Sequence, residues 1–98
     1  MSTAYQMLGY LKDYHNKESE AVKNRELRSL FSLTDKQVRN VVSQLRQEGE
    51  PICSSSYGYW YSTDPNDIEK TLHRLEAQVG NMNISIKGLK QALQGGKG

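Results

Sequence analysis

The chain has 98 residues, of which 36% are hydrophobic and 24% are charged. This length allows one small domain with an appendage and excludes two independent hydrophobic cores. The single cysteine excludes an internal disulfide, and no apolar run approaches the length of a bilayer span, so we expect a cytoplasmic protein. The net charge of +2 is too small to indicate nucleic-acid binding by itself.

The first predicted element is an amphipathic helix near the N-terminus. Apolar residues recur there at i, i+3, i+4 and i+7, namely Ala4, Met7, Leu8 and Leu11. Ser2 or Thr3 is suited to cap its first turn. The polar stretch 15–20 that follows predicts a loop.

Residues 23–49 predict two helices separated by a tight break at 31–34. The apolar face of the first helix consists of Leu27, Leu30 and Phe31. The buried stripe of the second consists of Val38, Val41, Val42 and Leu45. Thr34 followed by Gln37 three residues later is a capping box, and Gly49 is the expected stop. Leu33 is expected to point inward from the break.

The distribution of charge distinguishes this segment from the one before it. Residues 23–49 contain six basic and three acidic residues, whereas residues 1–22 contain two basic and three acidic residues. The excess positive charge therefore lies on the predicted helix pair, as expected for a surface that meets phosphates.

Two short β-prone runs, 52–54 and 59–61, predict a hairpin. Gly58 in its turn is able to adopt a positive φ. Cys53 is expected to be a small buried strand residue, and Trp60 to lie in the core or to support the following helix. Asp64 and Pro65 then mark the start of that helix.

The last predicted element is one long helix from Pro65 to about Gln94. Its apolar residues are spaced alternately by four and three, which is an unbroken heptad seam. This pattern predicts oligomerisation through a coiled coil, with a preference for antiparallel pairing because Glu69 would then face Lys90 of the partner. The seam consists of Ile68, Leu72, Leu75, Val79, Met82, Ile86, Leu89 and Leu93.

Two observations keep an alternative open for this helix. Gly80, Gly88 and the residues at 81, 83 and 85 are poor helix formers, and a bend near Gly80 would interrupt the helix. The seam would then pack on the chain's own first helix or cap the hairpin instead of pairing with another copy.

The segments Leu27–Arg39, Leu45–Ile52 and Gly58–Trp60 resemble the turn, recognition helix and wing of the winged helix-turn-helix superfamily. The Gly-Tyr-Trp strand followed by Asp64-Pro65 and a long helix also resembles small proteins of phages and other mobile elements. The resemblance implies a mainly α fold with a small β-hairpin, and a double-stranded DNA partner. It divides the chain into a winged domain (1–63), a coiled-coil helix (64–94) and a flexible tail (95–98).

The second helix of the pair is the candidate recognition helix. With its valines and Leu45 inward, its outward face carries amides, a hydroxyl and cations, which can read base edges or neutralise phosphate in the major groove. The hairpin turn adds hydroxyls for the backbone or the minor groove, although it lacks a basic residue. The predicted DNA-binding residues are Lys36, Gln37, Arg39, Asn40, Ser43, Gln44, Gln47, Ser55, Ser56 and Tyr57.

No catalytic, metal or cofactor site is predicted. His15 and His73 have no partners at metal-ligand spacing, and Asp64 with Asp67 is explained as a helix cap and a first-turn acid. We therefore expect a non-enzyme that binds DNA and itself, as a phage or mobile-element transcriptional regulator or replication factor. The alternatives are a protein-interaction adaptor and a DNA-packaging subunit of the small-terminase type.

Overall fold

The computed structural model describes residues 2–77 and 83–95, which form a mainly helical protein with one two-stranded antiparallel sheet. A 3-10 turn at Glu18–Glu20 lies within the stretch predicted as a loop. No helix in the described ranges combines the length and apolar character needed to cross a membrane. The elements are α1 (Thr3–Tyr14), α2 (Asn24–Phe31), α3 (Asp35–Gln47), β1 (Ile52–Ser55), β2 (Gly58–Tyr61), α4 (Pro65–Glu76) and α5 (Asn83–Gly95).

Both ends of α3 and the start of α4 are set by local chemistry, as the sequence predicts. Thr34 Oγ1 accepts a hydrogen bond from the Gln37 backbone N–H at 3.1 Å, and Gln37 Oε1 accepts one from the Thr34 N–H at 2.9 Å, which completes the capping box of α3. The chain leaves α3 through Gly49 at φ +90°. Asp64 caps α4 by accepting from the Asn66 N–H at 2.9 Å.

One core cluster joins α1, α2 and α3. All the apolar residues predicted for α1 are buried, and from α3 Val41 is only half-buried. The prediction for α2 is wrong at Leu30, which is 55% exposed. This short helix packs through Leu27 and Phe31, and Leu30 lies about 100° around the axis from Phe31. The cluster consists of Ala4, Met7, Leu8, Leu11, Val22, Leu27, Val38, Val42, Leu45 and Ile52.

The hairpin is held against the segment that precedes α2. Its strands pair with Cys53 opposite Trp60. Val22 and Tyr59 exchange two backbone hydrogen bonds of 2.8 Å, which extends the ladder by one bridge. Gly58 sits at this crossing with φ +128°, and a Cβ there would lie 2.3 Å from the Val22 carbonyl oxygen. Only glycine fits both the backbone conformation and the close approach.

The prediction of one continuous helix after the hairpin is wrong. α4 ends at Glu76 and α5 begins at Asn83, and the two helices contact each other. Lys90 Nζ lies 3.6 Å from Glu76 Oε2, whereas 14 residues of straight helix would separate these positions by about 21 Å. α5 therefore does not continue the axis of α4, and Lys90 pairs within its own chain.

The heptad residues that the structure describes pack within this chain. Ile68, Leu72, Leu75 and Leu89 are buried together with Cys53 and Trp60 in a second core cluster, against which Leu93 packs. Val79 and Met82, and the side chain of Ile86, lie outside the described residues. Self-association through this seam stays a prediction. The cluster contains residues from both sides of the predicted boundary at residue 63.

Gly88 explains how α5 approaches α3 so closely. A Cβ at this position would lie 1.5 Å from the carbonyl oxygen of Arg46 and 2.9 Å from Cα of Gln47. The backbones of the two helices are thus in direct contact at the C-terminal end of α3. The sequence predicts burial of the Leu89 face correctly, but the periodicity does not specify which surface covers it.

Candidate nucleic-acid interface

The outward face of α3 is open to solvent. Six of its predicted DNA-binding residues are exposed and the seventh, Ser43, is half-buried. α5 meets the backbone of α3 at Arg46 and Gln47, near the C-terminal end of the helix, and leaves these six side chains exposed. The exposed residues are Lys36, Gln37, Arg39, Asn40, Gln44 and Gln47.

Several of these side chains already have hydrogen-bond partners. Gln37 contributes its side-chain oxygen to the capping box. Gln44 Nε2 donates to Glu48 Oε2 at 3.4 Å, and Gln47 Nε2 donates to Ser43 Oγ at 3.3 Å. These contacts turn the amides of the C-terminal half toward the helix itself, so the N-terminal half has the groups best placed for a ligand.

A groove of about 810 Å³ runs between α3, from Lys36 to Arg46, and the hairpin. The start of α2 and the last turn of α4 form its other walls. Six residues predicted to bind DNA line this groove, whereas Gln37, Gln44, Gln47 and Tyr57 do not. The six are Lys36, Arg39, Asn40, Ser43, Ser55 and Ser56.

The electrostatic character of the groove is strongly positive. Its basic residues come from α2's N-cap, α3 and α4, and none of the described residues that line it is acidic. Arg39 Nη2 is paired with Asp35 Oδ2 at 2.9 Å, but both side chains are more than half exposed. Such a surface pair is worth about 0–1 kcal/mol and yields readily to a phosphate. The basic residues are Lys23, Lys36, Arg39, Arg46 and Arg74.

The sequence-based prediction of DNA-binding residues missed four residues that line the groove, namely Lys23, Asn24, Arg46 and Arg74. Lys23 is brought to the hairpin by the Val22–Tyr59 bridge, and its Nζ donates to the Ser56 carbonyl at 2.8 Å. Arg74 reaches the groove only because α4 packs back on β1. No pattern in the neighbouring sequence predicts that Lys23 or Arg74 lies in the groove. The excess of basic residues that begins at Lys23 is only a partial indication.

The hairpin turn is compact and polar. Ser55 Oγ accepts a hydrogen bond from the Tyr57 N–H at 3.1 Å, which stabilises the turn. Tyr57 is 65% exposed at the tip, beyond the groove. The turn itself has no basic side chain, but Lys23 supplies one beside it.

Comparison with known proteins gives no match to a family model, to a curated protein or to a solved structure.

Proposed function

We propose that this protein is a winged helix-turn-helix protein that binds double-stranded DNA and recognises a specific sequence. α3 is the recognition helix, and its N-terminal half enters the major groove. The hairpin is a short wing on the adjacent phosphate backbone. A protein of this kind acts in transcription control or in replication of a phage or other mobile element.

One observation carries the proposal: the exposed polar face of α3 and the hairpin form the two sides of a groove lined by five basic residues and no described acidic one. When a recognition helix lies in the major groove and a wing lies beside it, a strand of the phosphate backbone passes between them. A positively charged cleft at this position complements that strand.

The residues of the groove divide into two chemical classes. Asn40 is exposed near the middle of α3, and an asparagine amide pairs bidentately with adenine. Lys36, Lys23 and Arg74 are cations that neutralise phosphates without reading the sequence. The position of α5 is compatible with this assignment because it leaves the N-terminal half of α3 exposed.

The direct test is selection of bound duplexes from a random DNA pool, followed by fluorescence anisotropy on the selected site and on a scrambled duplex. We expect a specific site whose affinity falls steeply with salt, because phosphate contacts release counterions. Absence of binding to any duplex at about 50 mM salt would sink the proposal and favour a protein partner.

Point variants separate the two classes of contact. Asn40→Ala should weaken binding to the selected site by about 1–3 kcal/mol, roughly 5- to 150-fold, with little effect on the scrambled duplex. Arg74→Ala should weaken both duplexes alike and reduce the salt slope by about 1. Lys17→Ala is the matched control, since Lys17 is an exposed cation that does not line the groove. Equal losses on both duplexes for Asn40→Ala would refute base readout.

A further inference from the structure

Arg46 is a buried cation at the C-terminal end of α3. Only 5% of it is exposed. Its Nε donates to the Ile52 carbonyl at 2.7 Å, and its Nη2 donates to Ser54 Oγ at 3.1 Å. Two of the five guanidinium N–H groups are used in these bonds, which tie the recognition helix to the first strand of the hairpin.

This buried charge has no anionic partner in the described part of the chain. The ion pairs found there join Arg39 to Asp35 and Lys90 to Glu76. Burial lowers the pKa of Arg46 to about 10, so the guanidinium is still protonated at neutral pH. A buried cation without a counter-charge is costly, and a methionine of similar length would fill the same space without that cost. The two hydrogen bonds give the side chain a role within the fold, but they leave its charge uncompensated, and that charge calls for a further reason.

The position of Arg46 supplies the reason, because this residue lines the same groove as Lys23, Lys36 and Arg74. Those three are exposed and lie around it, so they are screened by salt, whereas a buried charge is screened much less. Ser54 also lines the groove and is already bonded to the guanidinium. Buried guanidinium, hydroxyl and surrounding cations together form the donor set that binds a phosphate oxygen.

We propose that Arg46 forms the floor of a phosphate-binding site that holds one phosphodiester of a bound duplex. The inference rests on the proposed function and deepens it. The occupant is a backbone phosphodiester instead of a free phosphate, because the site lies between the polar face of α3 and the hairpin. A phosphate in the filled groove thus supplies the counter-charge that Arg46 lacks in the described part of the chain.

The test compares Arg46→Met with wild type and with Lys17→Met, which removes one exposed charge outside the groove. Because Arg46→Met leaves the buried Ile52 carbonyl without its donor, it should unfold at a lower temperature than wild type. While folded, it should bind duplex about tenfold more weakly at 0.1 M salt, with a salt slope smaller by about 0.9. Lys17→Met should leave both quantities unchanged. Wild-type affinity and slope in Arg46→Met would overturn the inference while leaving the proposed function intact.

A measurement on the wild-type protein covers the case in which Arg46→Met does not fold. In the ¹⁵N-labelled protein, the Nε–H signal of Arg46 should shift when duplex is added, together with the side-chain amide of Asn40. Inorganic phosphate at matched ionic strength should shift it much less. An Arg46 signal that stays fixed while Asn40 moves would refute the site, and a larger response to phosphate than to duplex would refute the assigned occupant. If neither signal moves, the proposed function itself fails.

Discussion

The contact between α5 and α3 can be tested with a single methyl group at Gly88. In Gly88→Ala the new Cβ would lie 1.5 Å from the Arg46 carbonyl oxygen and 2.3 Å from its carbonyl carbon. Both atoms belong to the backbone and cannot rotate away. Ordinary contact at about 3.5 Å requires the two helices to separate by about 2 Å.

Two effects of opposite sign determine the result. Alanine has a higher helix propensity than glycine, which favours the variant by about 1 kcal/mol. Separation of the helices exposes Leu89, which is fully buried, and partly uncovers Leu72 and Leu75. Exposing one leucine costs about 2 kcal/mol, and the uncovered neighbours add about 1 kcal/mol. We therefore expect a net loss of about 2 kcal/mol in the free energy of unfolding.

Urea denaturation followed by the fluorescence of Trp60 measures this loss. Trp60 is the only tryptophan and lies in the same cluster as Leu89. The midpoint should fall by about 1 M urea. Gly9→Ala is the control, because a Cβ there meets nothing within 4 Å, and it should stabilise by about 0.5–1 kcal/mol. If Gly88→Ala is stabilised like Gly9→Ala, the described packing of α5 is incorrect.

Three further predictions follow from single residues. Leu75→Asp places an unpaired carboxylate at a position that is only 4% exposed, so we expect the free energy of unfolding to fall by about 3 kcal/mol or more in urea denaturation. A variant that is monomeric and fully stable would instead favour an intermolecular coiled coil. Thr34→Ala removes the side-chain N-cap of α3 and should lower the free energy of unfolding by about 1 kcal/mol in the same assay. An unchanged free energy of unfolding would show that the cap does not stabilise the helix. Burial raises the pKa of the Cys53 thiol to about 11. The unfolded chain ionises near pH 8.5 while the folded one does not, so the unfolding free energy should decrease between pH 8 and 10, and less so in Cys53→Ala.

Local signals in the sequence were sufficient to predict both ends of α3, the start of α4, the hairpin and the polar face of α3. The Thr34–Gln37 box, Gly49 and Asp64 each act within a few residues of themselves, so their chemistry is visible without the fold. The α1 core face is equally direct, because helical spacing determines which side chains share a face.

The predictions that failed depended on contacts between distant segments. A heptad pattern specifies that Ile68, Leu72 and Leu75 are buried on one face, but the same pattern suits a second helix of another chain or the chain's own hairpin. Gly88 suggested only weak helix formation, whereas it permits close packing. Placing Arg46 and Arg74 in the groove requires the folded positions of β1 and α4.

The second core cluster packs α4 and α5 against the hairpin. Trp60 Nε1 donates to Asp67 Oδ2 at 3.2 Å, and Cys53 and Trp60 are covered by α4 and α5. A fragment cut at residue 63 would uncover Cys53 and Trp60, and the hairpin would then be held only by the Val22–Tyr59 bridge and its contacts with the first core cluster. A fragment that keeps Cys53 and Trp60 buried must therefore extend through α5.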